Sequence, residues 1–240
     1  MKVYAISDLH LSLSGEKPMD VFGDKWENYL EKIKYDWEQK VEDDDVVLIC
    51  GDVSWAMKLE DALFDLNFIS GLKGKKILIR GNHDYWWQGI TKIRNSLPKN
   101  FYALQNDSVK IDNVIFCGSR GWAVEGSPDF DEHDRHIYER EVERFKLALS
   151  SASKLRNDGD KLVCLIHYPP FNVRKEASLF TKLFEEYKVD KVVYGHLHGK
   201  GVALYKKLSI NGVEYILSSC DLVDNKLVEV LYETENQKSL

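Results

Sequence analysis

The chain has 240 residues, of which 44% are hydrophobic, and its formal net charge is -6. A chain of this length and composition can build one large domain with an ample core. The sequence contains no run of 18 apolar residues, so we expect no membrane span. The negative net charge argues against a general nucleic-acid-binding surface. We expect one domain over residues 1–240.

The beginning of the chain and its cysteines favour a cytoplasmic protein. The first apolar run meets Asp8 too early to be the core of a signal peptide. The four cysteines stand singly, and Cys50, Cys117 and Cys164 fall inside apolar runs. Single cysteines in apolar runs are typically small core residues of proteins in a reducing compartment. The absence of a Cys-x-x-Cys pair argues against a zinc site with thiolate ligands.

The first third of the chain alternates apolar runs with stretches of helical spacing. Residues 3–7, 46–50 and 76–79 are short apolar runs that predict strands. Residues 24–40 and 59–72 carry apolar residues near a helical period, with charged residues between them. This β-α-β-α-β order predicts a parallel sheet with crossover helices.

Hairpin signals appear in the later part of the chain. Residues 109–111 and 114–116 are joined by Asp-Asn, and residues 208–210 and 213–217 are joined by Asn-Gly, which favours a tight turn. Residues 226–231 predict a further strand. The chain thus has two segments in which strands and helices are followed by antiparallel strands. This organisation predicts two packed sheets with helices outside.

An irregular segment, residues 119–136, lies between these two parts of the chain. We expect a lid insertion here, because irregular polar insertions often carry function. Arg120, His133 and His136 are then candidate substrate contacts. The alternatives are a surface ion pair for Arg120 and, for the histidines, a helix N-terminus capped by Asp134.

Polar residues follow the ends of the predicted strands. Of the seven histidines, five lie within four residues of the C-terminal end of an apolar run. The residues in such positions are Asp8, His10, Asp52, Asn82, His83, Asp84, His167, His196 and His198. Because open α/β sheets bind ligands at the carboxyl ends of their strands, we expect these side chains to converge on one site.

The residue types at this site predict a centre of two metal ions. Seven of the residues offer nitrogen or oxygen ligands without a thiolate: Asp8, His10, Asp52, Asn82, His167, His196 and His198. Two divalent ions that share a carboxylate use such a set, and the mixture suits manganese, iron or zinc. Two such ions, two carboxylates and a bridging hydroxide leave a charge of about +1, which attracts a phosphate.

The predicted reaction is in-line attack of that hydroxide on a phosphoester held by both ions. His83 is not needed as a ligand, so it is the candidate that donates a proton to the leaving oxygen. Asp84 is the candidate that fixes the His83 tautomer. Tyr85, Trp86 and Trp87 could stack on a base or aryl group, or pack against the following helix.

Five short motifs occur in order over residues 8–198. They are Asp8-Leu9-His10, Gly51-Asp52, Gly81-Asn82-His83-Asp84, His167 and Gly195-His196-Leu197-His198. This pattern resembles that of the calcineurin-like metallophosphoesterase superfamily. The resemblance implies an α/β fold, a four-layer α/β/β/α sandwich of two mixed sheets flanked by helices.

The resemblance also implies an assignment of the ligands to two ions. Asp8, His10, Asp52 and His198 would hold one ion, and Asp52, Asn82, His167 and His196 would hold the other. Asp52 would bridge them, His83 would be the acid that contacts the phosphate, and Asp84 would be the partner of His83.

Particular branches of that superfamily differ from this chain. Ser/Thr protein phosphatases carry an Asp-Arg-Gly element after Gly-Asp, where this chain has Val53-Ser54-Trp55, and UDP-diacylglucosamine hydrolases carry Arg in place of His83. The small bacterial phosphodiesterases are most similar, because they keep Gly-Asn-His-Asp. We expect a small phosphodiester or phosphomonoester as substrate; the alternatives are a nuclease of the superfamily and a non-catalytic metal-bound scaffold.

Overall fold

The structure is a computed structural model that describes residues 1–13, 17–128, 130–199 and 206–232. Its strands are β1 (Val3–Ala5), β2 (Val46–Ile49), β3 (Lys75–Leu78), β4 (Phe101–Ala103), β5 (Asp107–Ile111), β6 (Val114–Ser119), β7 (Lys161–Ile166), β8 (Lys191–Tyr194), β9 (Lys207–Ile210), β10 (Val213–Leu217) and β11 (Val228–Leu231). Its helices are α1 (Tyr29–Lys40), α2 (Leu59–Ser70), α3 (Ile90–Ser96), α4 (Glu132–Leu155) and α5 (Leu179–Glu186). Each strand named above from its apolar run is present.

The first sheet has five strands in the order β11-β1-β2-β3-β4. Strands β1 to β4 run parallel, and β11 pairs antiparallel with β1. Helices α1 and α2 connect the first three strands, as the β-α-β-α-β pattern predicts. The carboxyl ends of β1, β2 and β3 therefore lie at one edge of this sheet.

The second sheet has six strands in the order β5-β6-β7-β8-β10-β9. Strands β6, β7, β8 and β10 are parallel, and the two predicted hairpins, β5 with β6 and β9 with β10, form its outer pairs. Both sheets are thus mixed, because each joins parallel strands to at least one antiparallel neighbour.

The two sheets pack face to face, with helices on both outer faces. A central apolar layer joins strands of both sheets, among them Val3 and Leu48 of the first and Phe116 and Val193 of the second. A second apolar cluster lies between the first sheet and α1, α2 and α3, and a third lies between the second sheet and α4 and α5. The predicted four-layer sandwich is confirmed.

The segment before α1 departs from the prediction of one helix over residues 24–40. It forms two 3₁₀ turns, Asp20–Phe22 and Asp24–Trp26, before α1 begins at Tyr29. Asn28 has a φ of 49°, in the left-handed region, which stops the helical path between the second turn and α1. The apolar spacing of Trp26 and Tyr29 reflects a shared core rather than one continuous helix.

The irregular segment is shorter than predicted, because β6 extends to Ser119 and α4 begins at Glu132. The helix cap is Asp131, whose carboxylate accepts the Asp134 N–H at 2.9 Å, and the Asp134 carboxylate accepts the Asp131 N–H at 3.2 Å. Asp134 is therefore the third residue of a capping box, not the cap. His133 and His136 lie within α4 and are exposed.

All four cysteines are buried and carry free thiols, as their apolar surroundings predict. Among the described residues, no helix is both long enough and apolar enough to pass through a lipid bilayer.

Candidate metal centre

The predicted ligands follow the carboxyl ends of five parallel strands. Asp8 follows β1, Asp52 follows β2, Asn82 follows β3, His167 follows β7 and His196 follows β8. Because the two sheets stack, these ends lie on opposite sides of the central apolar layer and meet at its edge. Left-handed backbone at four of the seven predicted ligands turns their side chains inward: Asp8, His10, Asp52 and His196 have φ values between 46° and 70°.

One ligand group contains Asp8, His10 and His198. The Asp8 Oδ1 atom lies 3.3 Å from His198 Nε2. The His10 Nε2 atom lies 3.4 Å from the same nitrogen. One ligand atom from each of the three side chains lies within 4.8 Å of the others.

A second ligand group contains Asn82, His167 and His196. The Asn82 Oδ1 atom lies 2.6 Å from His167 Nε2 and 2.9 Å from His196 Nδ1. The two imidazole nitrogens are 3.3 Å apart. An amide oxygen and two imidazole nitrogens therefore face one point.

Asp52 faces both groups. Its Oδ2 atom lies 3.8 Å from His10 Nε2 and 3.5 Å from His167 Nε2. Ligands bound about 2.0 to 2.2 Å from an ion are separated from one another by roughly 3 to 4 Å. The donor set thus fits metal coordination, and its atoms are all nitrogen or oxygen.

Hydrogen bonds from both sheets hold Asp8 in place. Its Oδ2 accepts from Ser7 Oγ at 2.6 Å and from Ser219 Oγ at 3.0 Å. The His196 N–H donates to Asp8 Oδ1 at 3.0 Å. The carboxylate of the first sheet is therefore fixed by the loops after β8 and β10 of the second.

The histidines of the centre differ in their affinity for protons. Burial lowers the pKa of His10 and of His196 to about 4, so both imidazoles are neutral near pH 7. For His198 burial acts in the same direction, but hydrogen bonds to Asp221 and Asp8 prevail and raise its pKa to about 10. A metal ion binds neutral imidazole, so an ion at His198 would displace this proton.

His83 contacts the Asp52 carboxylate directly. Its Nδ1 lies 2.8 Å from Asp52 Oδ2, and its backbone N–H donates to Asp52 Oδ1 at 2.8 Å. The side-chain hydrogen bond raises the pKa of His83 above its ordinary value. The His83 side chain is 34% exposed, so one face of the imidazole remains open to a small molecule.

Asp84 is fully buried. Its oxygens accept hydrogen bonds from the backbone N–H groups of Asp52, Val53, Ser54 and Gly81 and from Trp86 Nε1, at 2.7 to 3.3 Å. Because these donors occupy both oxygens, the prediction that Asp84 fixes the His83 tautomer is wrong. The carboxylate instead ties together the two loops that carry Asp52 and Asn82.

The same two loops explain why glycines precede these ligands. Gly51 has a φ of +93°, and a Cβ added there would lie 2.6 Å from the Gly81 Cα. Only a residue without a side chain allows the loops to approach so closely. This close approach brings Asp52 beside Asn82.

Asp221 is a carboxylate at the centre that the sequence reasoning missed. Its Oδ1 lies 2.9 Å from His198 Nδ1, and its Oδ2 accepts the Gly199 N–H at 3.0 Å. Such a carboxylate orients an imidazole and directs the other ring nitrogen to a metal. The signal in the sequence was its place four residues after the end of β10, where another strand reaches the same edge.

Aromatic side chains surround the histidines, again without being predicted. Trp55 stacks on His10 with ring centroids 4.7 Å apart and lies 4.7 Å from His83. Tyr168 lies 4.1 Å from His196 on the other side. Each of these aromatic rings thus packs against a ligand imidazole.

The predicted aromatic run after the centre divides into two kinds of residue. Trp86 and Trp87 are buried in the core beneath the helices of the first sheet, so packing is their role. Tyr85 is 49% exposed, and its ring centroid lies 6.2 Å from that of His83. Of the three, Tyr85 is the one a bound molecule could reach.

The predicted substrate contacts in the irregular segment do not join the ligands. Arg120 pairs with Glu141, its Nη2 3.2 Å from Oε1, and its guanidinium stacks on Trp122 at 4.6 Å. The ion pair is buried rather than on the surface, because Glu141 is almost fully covered. For His133 and His136, no contact with the ligand groups occurs among the described residues, and their role stays a prediction.

The family model of the calcineurin-like phosphoesterases matches residues 1–200 of the chain. A crystal structure of a protein of unknown function from Aquifex aeolicus is similar, with a TM-score of 0.51, 16% identity and 95% coverage of each chain. A protein from Thermus thermophilus has a TM-score of 0.56, 15% identity and coverage of 95% of this chain and 97% of its own. These two structures share the fold. None of the curated proteins compared with the chain is significantly similar to it.

Proposed function

The chain belongs to the calcineurin-like phosphoesterase family, and from that premise we propose that it hydrolyses a small phosphoester with two bound divalent ions. The observation that carries the proposal is the Asp52 carboxylate, whose Oδ2 lies within 3.8 Å of both His10 Nε2 and His167 Nε2. A carboxylate shared by two ligand groups suits two ions held close together. The substrate is a small phosphodiester or phosphomonoester.

The contacts within the two ligand groups support an assignment of residues to each ion. Asp8, His10, Asp52 and His198 would hold one ion, and Asp52, Asn82, His167 and His196 would hold the other. Manganese, iron and zinc all accept this mixture of imidazole and oxygen ligands. When bound, the pair of ions supplies Lewis-acid activation of the phosphoryl group and of the attacking water.

His83 acts as the general acid. The Asp52 carboxylate, whose Oδ2 lies 2.8 Å from His83 Nδ1, accepts the proton on that nitrogen and orients the imidazole. The other ring nitrogen, Nε2, lies 3.2 Å from Asn82 Nδ2 and would donate its proton to the leaving oxygen once the substrate replaces that contact. Proton donation avoids the release of an alkoxide, whose formation would dominate the barrier for an unactivated ester.

The remaining residues position these groups. Asp84 fixes the backbone of the loops that carry Asp52 and Asn82. Trp55 and Tyr85 form an aromatic rim beside His83, against which a planar leaving group can lie.

The proposal is tested with bis(p-nitrophenyl) phosphate and p-nitrophenyl phosphate, each incubated with manganese-loaded protein and with chelator-stripped protein. We expect hydrolysis of at least one ester, its loss on stripping and its return on adding manganese. Preference for the diester identifies a phosphodiesterase, and preference for the monoester identifies a phosphatase. If protein with two bound ions cleaves neither ester, the non-catalytic scaffold is the correct interpretation.

A further inference from the structure

A polar cavity of about 290 Å³ lies beside the metal centre, and its wall contains Arg80, Arg120, Arg140, Arg144, Glu141 and Asn106. We propose that this arginine cavity binds a second phosphate group of the substrate, distinct from the phosphate that is hydrolysed. This inference rests on the proposed function, which it deepens: the substrate carries two phosphate groups.

The arginine cavity continues the edge of the sheets at which the ligands lie. Arg80 follows β3 and Arg120 follows β6, and these strands are the neighbours of β2 and β7, whose ends carry Asp52 and His167. Neighbouring strands are about 4.8 Å apart, so one to two strand positions correspond to roughly 5 to 10 Å. Phosphate groups of one small molecule can span such a distance.

Backbone contacts tie the wall of the cavity to the ligands. The Arg120 carbonyl oxygen accepts the His167 N–H at 3.0 Å. Arg80 is separated from the ligand Asn82 by one residue, Gly81. The cavity is therefore fixed relative to the metal centre on two sides.

The arginine cavity holds more positive charge than its carboxylate neutralises. Glu141 Oε1 lies 3.2 Å from Arg120 Nη2 and 2.6 Å from Arg144 Nη1. Among the described residues, Arg80 and Arg140 have no carboxylate partner, and the buried Arg80 Nε has no hydrogen-bond acceptor. A buried donor without an acceptor is costly, and an anion in the cavity removes that cost.

Phosphate is the anion that this arrangement suits. A guanidinium presents a planar fork of N–H donors that matches two phosphate oxygens, and several such forks can surround one tetrahedral group. The accumulation of arginines stands out in a chain with a net charge of -6. Repulsion among the guanidiniums is relieved when a doubly charged anion binds between them.

The first experiment compares two esters that differ in one phosphate group. They are the p-nitrophenyl ester of thymidine 5′-phosphate and the same ester with an added 3′-phosphate, each given to manganese-loaded protein. We expect the 3′-phosphate to raise kcat/KM about tenfold or more, mainly through a lower KM, as charged hydrogen bonds would. Equal kcat/KM values for the two esters would overturn the inference.

Variants then locate the effect in the arginine cavity. We expect Arg140→Gln to reduce the advantage of the 3′-phosphate about threefold to tenfold, and to leave turnover of bis(p-nitrophenyl) phosphate unchanged. Lys154→Gln is the matched control, because it removes one exposed positive charge from the same helix, outside the cavity. An equal loss in both variants would mean a general charge effect and would contradict the inference.

A binding measurement separates this inference from the proposed function. Inorganic pyrophosphate is titrated calorimetrically into chelator-stripped protein, where hydrolysis plays no part. We expect binding that Arg80→Met and Arg140→Gln weaken and Lys154→Gln does not, with circular dichroism confirming that the variants fold. Absence of binding would refute the cavity as an anion site, even if the esters are hydrolysed; arginine-dependent binding without ester preference would refute its role in substrate binding.

Discussion

The metal centre and the arginine cavity lie at the same edge of the two sheets but are built in different ways. The ligands sit on short loops directly after strands, and buried hydrogen bonds such as those of Asp84 fix the backbone of those loops. The arginines reach the cavity from two strand ends and from α4, on long side chains. The loops therefore fix the positions of the candidate ligands. The proposed role of α4 and its arginines is to select the molecule that binds beside them.

The two regions also differ in the balance of their charges. At the metal centre, carboxylates lie beside imidazoles. Asp8 and Asp221 both contact His198 and raise its pKa to about 10. In the arginine cavity, Glu141 alone faces four guanidiniums, and burial lowers the pKa of Arg120. The first region is suited to cations, and the second to an anion.

Removing the proposed acid gives the largest expected effect on turnover. We expect His83→Ala to lower kcat by about 10² to 10⁴ for a phosphoester with an unactivated alkyl leaving group, because the leaving oxygen loses its proton donor. The loss should be much smaller for bis(p-nitrophenyl) phosphate, whose nitrophenolate leaves without a proton. Metal analysis should show that the ions remain. His83→Gln can still bond to Asp52 but cannot give up a proton, so substantial activity in that variant would show that His83 only positions its neighbours.

Removal of the ions should destabilise the metal centre but leave the arginine cavity intact. Bound ions stabilise the folded chain by mass action, by about 2.7 kcal/mol for each ion present at 100 times its dissociation constant. Urea unfolding of stripped and manganese-loaded protein measures the difference. Identical unfolding curves would mean that the folded chain does not bind manganese in this way.

The orienting carboxylate Asp221 should contribute to metal affinity without being a ligand. We expect Asp221→Asn to weaken metal binding about 10- to 100-fold, because His198 loses the partner of its Nδ1. Competition with a fluorescent chelator measures the affinity. Asp224→Asn is the control, since Asp224 is exposed and pairs with Lys25 and Lys206; equal losses in both variants would remove Asp221 from this role.

A smaller effect of opposite sign is expected in the arginine cavity. Glu141→Gln should strengthen pyrophosphate binding to stripped protein about threefold to tenfold, because Arg120 and Arg144 lose the carboxylate that competes with the anion. Calorimetry measures the affinity. Glu143→Gln, an exposed change on the same helix, should have no effect; weaker binding in Glu141→Gln would argue that Glu141 organises the cavity rather than competing for it.

The sequence predicted the fold, and the meeting of the candidate ligands at one edge of the sheets, because both follow short-range rules. Apolar runs predict buried strands, and polar residues such as Asp8 and His167 stand directly after those runs. The carboxyl ends of parallel strands share an edge, so residues distant in the chain were predicted to meet. The geometry of the ligand groups agrees with that expectation.

The errors came from side-chain directions and long-range contacts. Asp84 stands next to His83 in the sequence, yet its side chain turns toward backbone N–H groups that appear only when the two loops approach. The arginine cavity combines residues from four separate segments and forms no motif. Asp134 was the predicted helix cap, but the residue that caps α4 is Asp131.

The most direct test of a paired centre is metal content per chain in wild-type protein and two variants, measured by elemental analysis after manganese loading. We expect two ions in the wild-type protein, one in His10→Ala, and none in Asp52→Asn, because Asp52 Oδ2 faces a histidine of each ligand group. Retention of one ion by Asp52→Asn would contradict the shared carboxylate on which the proposed chemistry depends.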